Sequence, residues 1–264
     1  MTTDDRFHNE QCGDPRSNRS IIPDEMSSSD SDTPDAPESL PAITPKMEDY
    51  LRRIYRLEQE ADGRVSNSEI AERLGVTRAS VTSMLSTLSN RGLIDRERYR
   101  PIRLTTEGEE LALRVVRRHR LAETMLAELF EYAISEVDAE ADILEHHLSN
   151  RLCREIERTL DMPETDPHGD PIPDSNLDLP QSADVTSLVE IDESTSVKVT
   201  RILTQDDEVL EYLVSIGLEP TKRLHLDEIT PIGMVVLTIG DASEQTSLPQ
   251  RLASQILVSP LDDP

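Results

Sequence analysis

The segment DILEHHLSN at residues 142–150 concentrates acids and histidines that could bind a metal ion. When this part of the chain is placed on a helix at about 100° per residue, four such side chains share one arc about 100° wide. They are Asp138, Asp142, Glu145 and His146. Like charges one turn apart repel by about 0.2–0.5 kcal/mol per pair, and a bound cation would reverse that interaction. From spacing alone the pattern fits a metal site or a solvated acidic face, and the solvated face is favoured.

A second pair with helical spacing lies upstream of this segment. His119 and Glu123 are four residues apart, so they lie on the same face of a helix. Imidazole and carboxylate ligands suit Mn²⁺ or Fe²⁺ better than a metal that selects thiolates. The two cysteines, Cys12 and Cys153, are far apart and lack the CxxC spacing of a zinc ribbon. The candidate cofactor is therefore Mn²⁺ or Fe²⁺.

The charge is unevenly distributed along the chain. The 264 residues carry a net charge of −26, which taken alone argues against binding to nucleic acid. Residues 47–118, however, hold 14 basic and 12 acidic residues, whereas residues 119–264 hold 9 and 31. One basic segment within an acidic chain is thus the candidate for DNA binding. Many acids with only three lysines are typical of proteins from salt-accumulating cells.

The basic segment has the pattern of a winged helix-turn-helix. Thr44-Pro45 predicts the start of the first helix. The segment SNSEIAERLG predicts a second helix that begins with a capping box, and TRASVTSMLSTLSNRG predicts a third. LIDRERYRPIRLTTEG then predicts two strands joined by a basic tip. Short polar side chains on the third helix suit a major groove, and arginines in the wing suit phosphates or the minor groove. The candidate DNA-binding residues are Thr77, Arg78, Ala79, Ser80, Thr82, Ser83, Arg98, Arg100 and Arg103. The alternative is a winged helix used for protein contact.

Composition divides the chain into five parts. Residues 1–43, rich in Ser, Asp and Pro, predict a disordered acidic tail. Residues 44–107 predict the winged helix-turn-helix, and residues 108–163 predict a helical domain. Residues 164–183 resemble a linker because they contain several Pro residues and a Gly. The alternating and β-branched runs of residues 184–260 predict a small β-barrel.

The helical domain is expected to build a homodimer. Its pattern predicts one helix to about Phe130 and another over roughly 136–161. A single winged helix buries little DNA surface, so a dimer that matches a two-fold, palindromic double-stranded operator is expected. Candidate core or interface residues are Leu111, Val115, Leu144, Leu148, Leu152 and Ile156.

The order of these motifs resembles the iron- and manganese-dependent repressor family, of the diphtheria toxin repressor and manganese transport regulator type. The motifs are MEDYLRRIYRLEQE, the helix-turn-helix with its wing, RRHRLAETML, EHHLS and HGDPIP, over about residues 45–173. Further on, LEYLVSIGLEP and ASQILVS resemble the FeoA-like, SH3-like barrel of longer members. The resemblance implies a metal-dependent repressor of metal-uptake or homeostasis genes, in which Mn²⁺ or Fe²⁺ locks the dimer in a DNA-competent geometry.

The resemblance also implies which residues bind metal. The primary site maps onto Asp49, Asp142, Glu145 and His146. The ancillary site maps onto His119, Glu123 and Asp138, with Asp206 of the barrel as a fourth candidate. Two positions depart from common family patterns. Manganese sensors often carry Glu where this chain has Arg52, and iron sensors commonly carry His where it has Asp138.

Two other functions stay open at this point. One is a winged-helix regulator that no longer senses metal, and a metal-dependent change in DNA affinity distinguishes it from the first interpretation. The other is a metallohydrolase, although no separate nucleophile or base constellation accompanies the ligands. The sequence contains no apolar run of 18 residues and no signal-peptide core. We therefore expect a soluble cytoplasmic protein without membrane contact.

Overall fold

The computed structural model describes residues 43–60, 65–97, 100–180, 184–240 and 245–261. Most of the acidic tail predicted over residues 1–43, and Arg98 of the predicted wing tip, lie outside these ranges. The buried apolar side chains that are described form three clusters, which belong to the winged helix, the following helices and the C-terminal sheet.

The predicted helix-turn-helix is present. Its helices are α1 (Pro45–Glu60), α2 (Asn67–Arg73) and α3 (Arg78–Asn90). Ser66 and Glu69 form both halves of the capping box that starts α2. The Thr77 side chain accepts a hydrogen bond from Ser80 N and so starts α3. Gly75, between these helices, has φ +61°, a left-handed conformation that costs glycine no strain. Local capping signals therefore set the angle between α2 and the candidate recognition helix α3.

The wing consists of a short antiparallel pair, β1 (Ile94–Asp95) and β2 (Arg103–Leu104). The Leu104 backbone N–H donates to Glu58 Oε1 of α1 at 3.0 Å, which ties the wing to the first helix. The chain then enters the next helix at Gly108, where a Cβ atom would lie 1.9 Å from the Leu93 carbonyl oxygen. Glycine is required there because the helix begins directly against the wing.

Three helices follow the wing. They are α4 (Thr106–Phe130), α5 (Val137–Leu144) and α6 (Asn150–Thr159). The single helix predicted over 136–161 is wrong: the chain turns after Glu145, which is the C-cap of α5. The Ser149 side chain accepts a hydrogen bond from Leu152 N and starts α6 separately. Glu145 and His146 therefore lie in the turn between two helices rather than in the middle of one.

The apolar residues of this helical region divide into two groups. Val115 is buried, Leu148 and Ile156 are buried in the core of the helical region, and Leu144 packs against that core. Leu111 packs against the core of the winged helix. Leu152, by contrast, is exposed. It shares that property with Leu129 and Phe130 of α4 and Ile143 of α5.

The C-terminal region is a six-stranded antiparallel sheet in the order β3-β8-β4-β5-β6-β7. The elements are β3 (Thr186–Ser187), β4 (Thr195–Ile202), α7 (Asp207–Ser215), β5 (Arg223–Ile229), β6 (Met234–Ile239), β7 (Gln245–Pro249), α8 (Gln250–Ala253) and β8 (Ile256–Pro260). Strand β4 carries inward residues at alternate positions, including Val197 and Val199. Among the described residues β3 and β7 are the two edges and do not pair, so the closed barrel that the pattern predicted is not formed by these strands.

A packed loop connects the helices to the sheet, within the segment that the sequence suggested as a linker. Asp166 and Asp170 are buried in it. The Ile202 N–H donates to the His168 carbonyl oxygen at 2.9 Å, which joins the loop to β4. The Arg201 side chain of β4 forms an ion pair with Asp170. None of the helices within the described ranges is long and apolar enough to cross a bilayer.

Candidate metal centre and DNA-binding surface

The first group of ligand side chains joins α1 to the turn after α5. Its members are Asp49, Glu145 and His146, whose ligand atoms all lie within 4.8 Å of one another. His146 Nε2 lies 3.0 Å from Asp49 Oδ1 and 3.5 Å from Glu145 Oε1. The other ring nitrogen, Nδ1, lies 2.7 Å from Glu48 Oε2. Such an outer carboxylate orients a ligating imidazole, so Nε2 is the nitrogen that faces the site.

Glu145 is the strongest indication that a cation belongs here. Its side chain is 0% exposed, and neither carboxylate oxygen has a hydrogen-bond partner, although His119 Nδ1 and Arg52 Nε lie 2.8 Å and 3.5 Å from Oε2. A buried carboxylate is costly unless positive charge compensates it, and Oε1 faces Asp49 and His146 rather than Arg52. Asp49 is half-buried, and burial raises the pKa of its carboxyl group even though His146 opposes that shift. One imidazole nitrogen and two carboxylates facing one point are a donor set that fits Mn²⁺ or Fe²⁺.

Asp142 is not part of the first group. It belongs to a second group with His119 and Glu145. Its Oδ1 is 3.4 Å from His119 Nδ1 and 2.5 Å from Nη2 of Arg52. The four residues that the sequence suggested for the primary site are thus neighbours, although Asp142 reaches the other three through Glu145 and an arginine.

The third group reproduces the predicted ancillary set of His119, Glu123 and Asp138. His119 Nε2 lies 3.4 Å from Glu123 Oε1 and 3.2 Å from Asp138 Oδ1. Burial and Arg52 act to lower the pKa of His119, but Glu123 and Asp138 outweigh them and raise it well above its usual value. Burial would raise the pKa of Glu123, yet His119 lowers it to about 2. The two carboxylates therefore favour the protonated form of His119.

Asp206 does not belong to these groups. Its side chain accepts a hydrogen bond from Val209 N and caps the start of α7. The preceding residue reaches the site instead: Gln205 Nε2 donates to Asp138 Oδ1 at 3.4 Å, and its Oε1 accepts from Arg53 at 3.0 Å. The sheet thus contributes an amide to the edge of the third group.

A fourth group was not predicted from the sequence. Glu123, Asp166 and His168 bring their ligand atoms within 4.8 Å of one another, and all three residues are buried. His168 Nδ1 lies 3.5 Å from Glu123 Oε1. Burial, together with the charges of Glu123 and Asp170, raises the pKa of Asp166 well above its usual value. The sequence signal for this group was the Asp-x-His spacing of Asp166 and His168, which overlaps the HGDPIP segment. That signal was missed because the prolines made the segment resemble a linker.

The candidate DNA-binding surface is formed by α3 and the wing. Of the predicted helix residues, Ser80 is half-buried and the other five are exposed: Thr77, Arg78, Ala79, Thr82 and Ser83. The wing residues Arg100 and Arg103 are exposed as well. Asn67 Nδ2 donates to Thr82 Oγ1 at 3.2 Å, and Arg96 donates to Ser86 Oγ at 3.0 Å. Asn67 and Arg96 therefore join the surface, although neither was predicted to bind DNA.

Comparison with known proteins gives three matching domains. Residues 42–102 match the iron dependent repressor N-terminal DNA binding domain, and residues 105–174 match the iron dependent repressor metal binding and dimerisation domain. Residues 186–260 match the FeoA domain. The three matches correspond in turn to the winged helix, the helical region with its packed loop, and the C-terminal sheet.

Relatives found by sequence and by structure agree with these domain matches. The iron-dependent repressor IdeR of Mycobacterium leprae (strain TN) is 34% identical over 221 residues, which are 79% of this chain and 94% of that protein. The HTH-type transcriptional regulator MntR of Shouchella clausii (strain KSM-K16) is 39% identical over 40% of this chain and 73% of its own length. A solved manganese-dependent transcriptional repressor in complex with manganese superposes with a TM-score of 0.76 at 34% identity, over 81% of this chain and 100% of that one. The chain belongs to the iron-dependent repressor family, a family of DNA-binding repressors and not of enzymes.

Proposed function

We propose that this protein is a metal-dependent transcriptional repressor that binds Mn²⁺ or Fe²⁺ and then binds a palindromic DNA operator as a cytoplasmic homodimer. The observation that carries the proposal is the junction of Asp49, Glu145 and His146, where a buried carboxylate without a hydrogen-bond partner faces the first helix of the winged helix. The names of the relatives, which describe iron- and manganese-dependent repressors, support the same metals.

The primary site is proposed to consist of Asp49, Glu145 and His146, with Asp142 beside Glu145. A bound divalent cation supplies the positive charge that offsets these carboxylates. Glu48 holds His146 so that Nε2 faces the site. Because Asp49 lies on α1 and the other two ligands follow α5, closing the site fixes the winged helix relative to the helical domain.

The second site is proposed around Glu123, which reaches two sets of partners. His119 and Asp138 lie on one side of it, and Asp166 and His168 lie on the other. Asp206 is left out because its side chain caps α7. Asp166 and His168 lie in the loop that an ion pair between Asp170 and Arg201 joins to the SH3-like C-terminal sheet. Metal at this site would therefore also fix the sheet relative to the helices.

Metal would control DNA binding through a shift between two populations. The free energy that can drive this shift is limited to the difference in metal-binding free energy between the DNA-competent arrangement and the other arrangements. In the competent arrangement the exposed polar residues of α3 enter the major groove, and Arg100 and Arg103 contact the backbone or the minor groove. A homodimer would place two such units on the two halves of the operator.

The experiment starts from a random pool of DNA duplexes, since the operator is undefined. Full-length protein loaded with Mn²⁺ selects its binding sites over several rounds, and the selected duplex is footprinted with Mn²⁺, with Fe²⁺ and with a chelator. We expect a two-fold symmetric footprint that appears only with metal. An equally strong footprint in the chelator would favour a winged-helix regulator that does not sense metal.

A further inference from the structure

One of the four ligand groups already holds a positive charge supplied by the protein. The group of His119, Asp142 and Glu145 has its ligand atoms within 4.8 Å of one another, like the other three. Arg52 contacts all three members. Its Nη1 lies 2.9 Å from His119 Nδ1, its Nη2 lies 2.5 Å from Asp142 Oδ1, and its Nε lies 3.5 Å from Glu145 Oε2.

The guanidinium group is held in this position by its surroundings. Only 12% of the Arg52 side chain is exposed. Arg52 follows Asp49 by three residues on α1, so one helix contributes a carboxylate to the first ligand group and a cation to the next. Glu145 belongs to the first group as well, and His119 to the third. An ion in the Arg52 position would therefore share a ligand with the ions on either side of it.

We propose that Arg52 is a built-in cation that occupies the His119–Asp142–Glu145 group, so that a protomer binds separate divalent ions on either side of it and none between them. The inference rests on the proposed function only in assuming that the flanking groups bind Mn²⁺ or Fe²⁺. A fixed guanidinium supplies the charge that these ligands require without adding a metal. Removing it leaves an imidazole and two carboxylates facing one point, which is a donor set for a divalent ion.

The alternative is that Arg52 is an ordinary buried ion pair with no bearing on metal binding. The two interpretations differ in the number of ions that the protein takes up. If Arg52 holds the place of a cation, a neutral side chain opens that place to Mn²⁺. If it is only a structural ion pair, its removal destabilises the fold but adds no ion.

The test counts the bound ions and measures whether they interact. Full-length wild type, Arg52→Met and Arg52→Lys are dialysed against Mn²⁺, and bound metal per protomer is determined by mass spectrometry of the elements. Electron paramagnetic resonance of the same samples distinguishes isolated Mn²⁺ ions from ions coupled through a shared ligand. The matched control is Arg53→Met, which removes the adjacent arginine of α1, a residue that donates to Gln205 Oε1.

We expect wild type, Arg52→Lys and Arg53→Met to bind the same number of ions with uncoupled spectra. Arg52→Met should bind one ion more per protomer and show a coupled spectrum. An unchanged count in folded Arg52→Met would overturn the proposal. So would a coupled spectrum in the wild-type protein, a result that stands even if Arg52→Met does not fold. Metal binding without any DNA response would contradict the proposed function and leave this inference intact.

Discussion

Asp49 Oδ1 on the first helix of the winged helix lies 3.0 Å from Nε2 of His146 in the turn after α5. These residues are 97 positions apart in the chain, so their contact joins the DNA-binding domain to the helical domain. Any cation held between them must act on both domains at once.

Removing the first-helix ligand should uncouple DNA binding from metal. Asp49→Ala keeps α1 intact because the side chain is partly exposed and lies outside the core. We expect metal-dependent operator binding to be lost, with a decrease of about 5–150-fold in the affinity measured with Mn²⁺. Fluorescence anisotropy with a labelled operator measures it, and Lys46→Ala on the same turn serves as the control. Full metal response in Asp49→Ala would remove Asp49 from the site.

The outer carboxylate should matter nearly as much as a ligand. Glu48 Oε2 lies 2.7 Å from His146 Nδ1, and Glu48 also pairs with Arg118 at 3.3 Å. Glu48→Gln preserves the size of the side chain but weakens its hold on the imidazole, so Mn²⁺ affinity should fall by about 10–100-fold. Isothermal titration calorimetry with Mn²⁺ tests this. Glu72→Gln, an exposed acid on α2, is the matched control and should leave the affinity unchanged.

Metal binding should release protons and weaken in acid. Because its neighbours raise the pKa of His119 well above the usual value, the metal-free side chain is protonated at neutral pH and must lose that proton to become a ligand. Burial also raises the pKa of Asp49, so this carboxyl group too must lose its proton at a higher pH before it can bind metal. Affinity should therefore rise with pH and fall as the solution is acidified.

Calorimetry in two buffers of different ionisation enthalpy counts the released protons. His119→Gln should release fewer than wild type, whereas His147→Gln, which alters an exposed histidine, should match wild type. Equal proton release from wild type and His119→Gln would show that His119 is not a ligand.

The loop between the helices and the sheet should not tolerate a side chain at Gly169. This residue has φ +86°, and a Cβ atom there would lie 2.0 Å from the Thr200 carbonyl oxygen of β4. Gly169→Ala should destabilise the protein by about 1–3 kcal/mol through backbone strain and should separate the loop from β4. The matched control is Gly240→Ala, because Gly240 has φ +60° but a Cβ atom there would meet nothing within 4 Å. Thermal unfolding that is equal in both variants would contradict the close packing of loop and strand.

Much of the winged helix could be predicted from the sequence because its signals are local. Capping residues such as Ser66 and Thr77 and the turn glycine Gly75 act within a few positions of themselves. The prediction of one helix over 136–161 was wrong because a local capping signal was overlooked. Ser149 starts a new helix, and its capping role was hidden within an otherwise helical pattern.

The candidate site was predicted only in part, because many of its contacts join residues that are far apart in the sequence. No local pattern brings Glu123 to Asp166 and His168, or selects Gln205 rather than Asp206 to face Asp138. The position of Arg52 among the ligands depends likewise on how α1 packs against α4 and α5. Residue types, spacing and the family resemblance suggested most of the candidate ligands, whereas their division into groups required the fold.

Salt should affect operator binding less than it affects an ordinary regulator. For B-DNA, log K falls by about 0.9 per neutralised phosphate for each log unit of salt. Because the protein has a net charge of −26, its long-range attraction to the DNA phosphates is weak, and salt has little of it to screen. Base contacts by Thr77, Arg78 and Thr82 should therefore carry a larger share of the affinity. Operator affinity over a KCl series that reaches molar concentrations measures the slope. A steep loss at molar salt would contradict this expectation.

The most direct test of the account is the operator dissociation constant of His146→Ala with Mn²⁺ and with a chelator, beside wild type and the exposed-neighbour control His147→Ala. Circular dichroism first establishes that all three proteins are folded. We predict that Mn²⁺ tightens operator binding by about 5–150-fold for wild type and for His147→Ala, and that it has no effect on His146→Ala. A folded His146→Ala that responds to Mn²⁺ as strongly as wild type does would contradict metal control through His146.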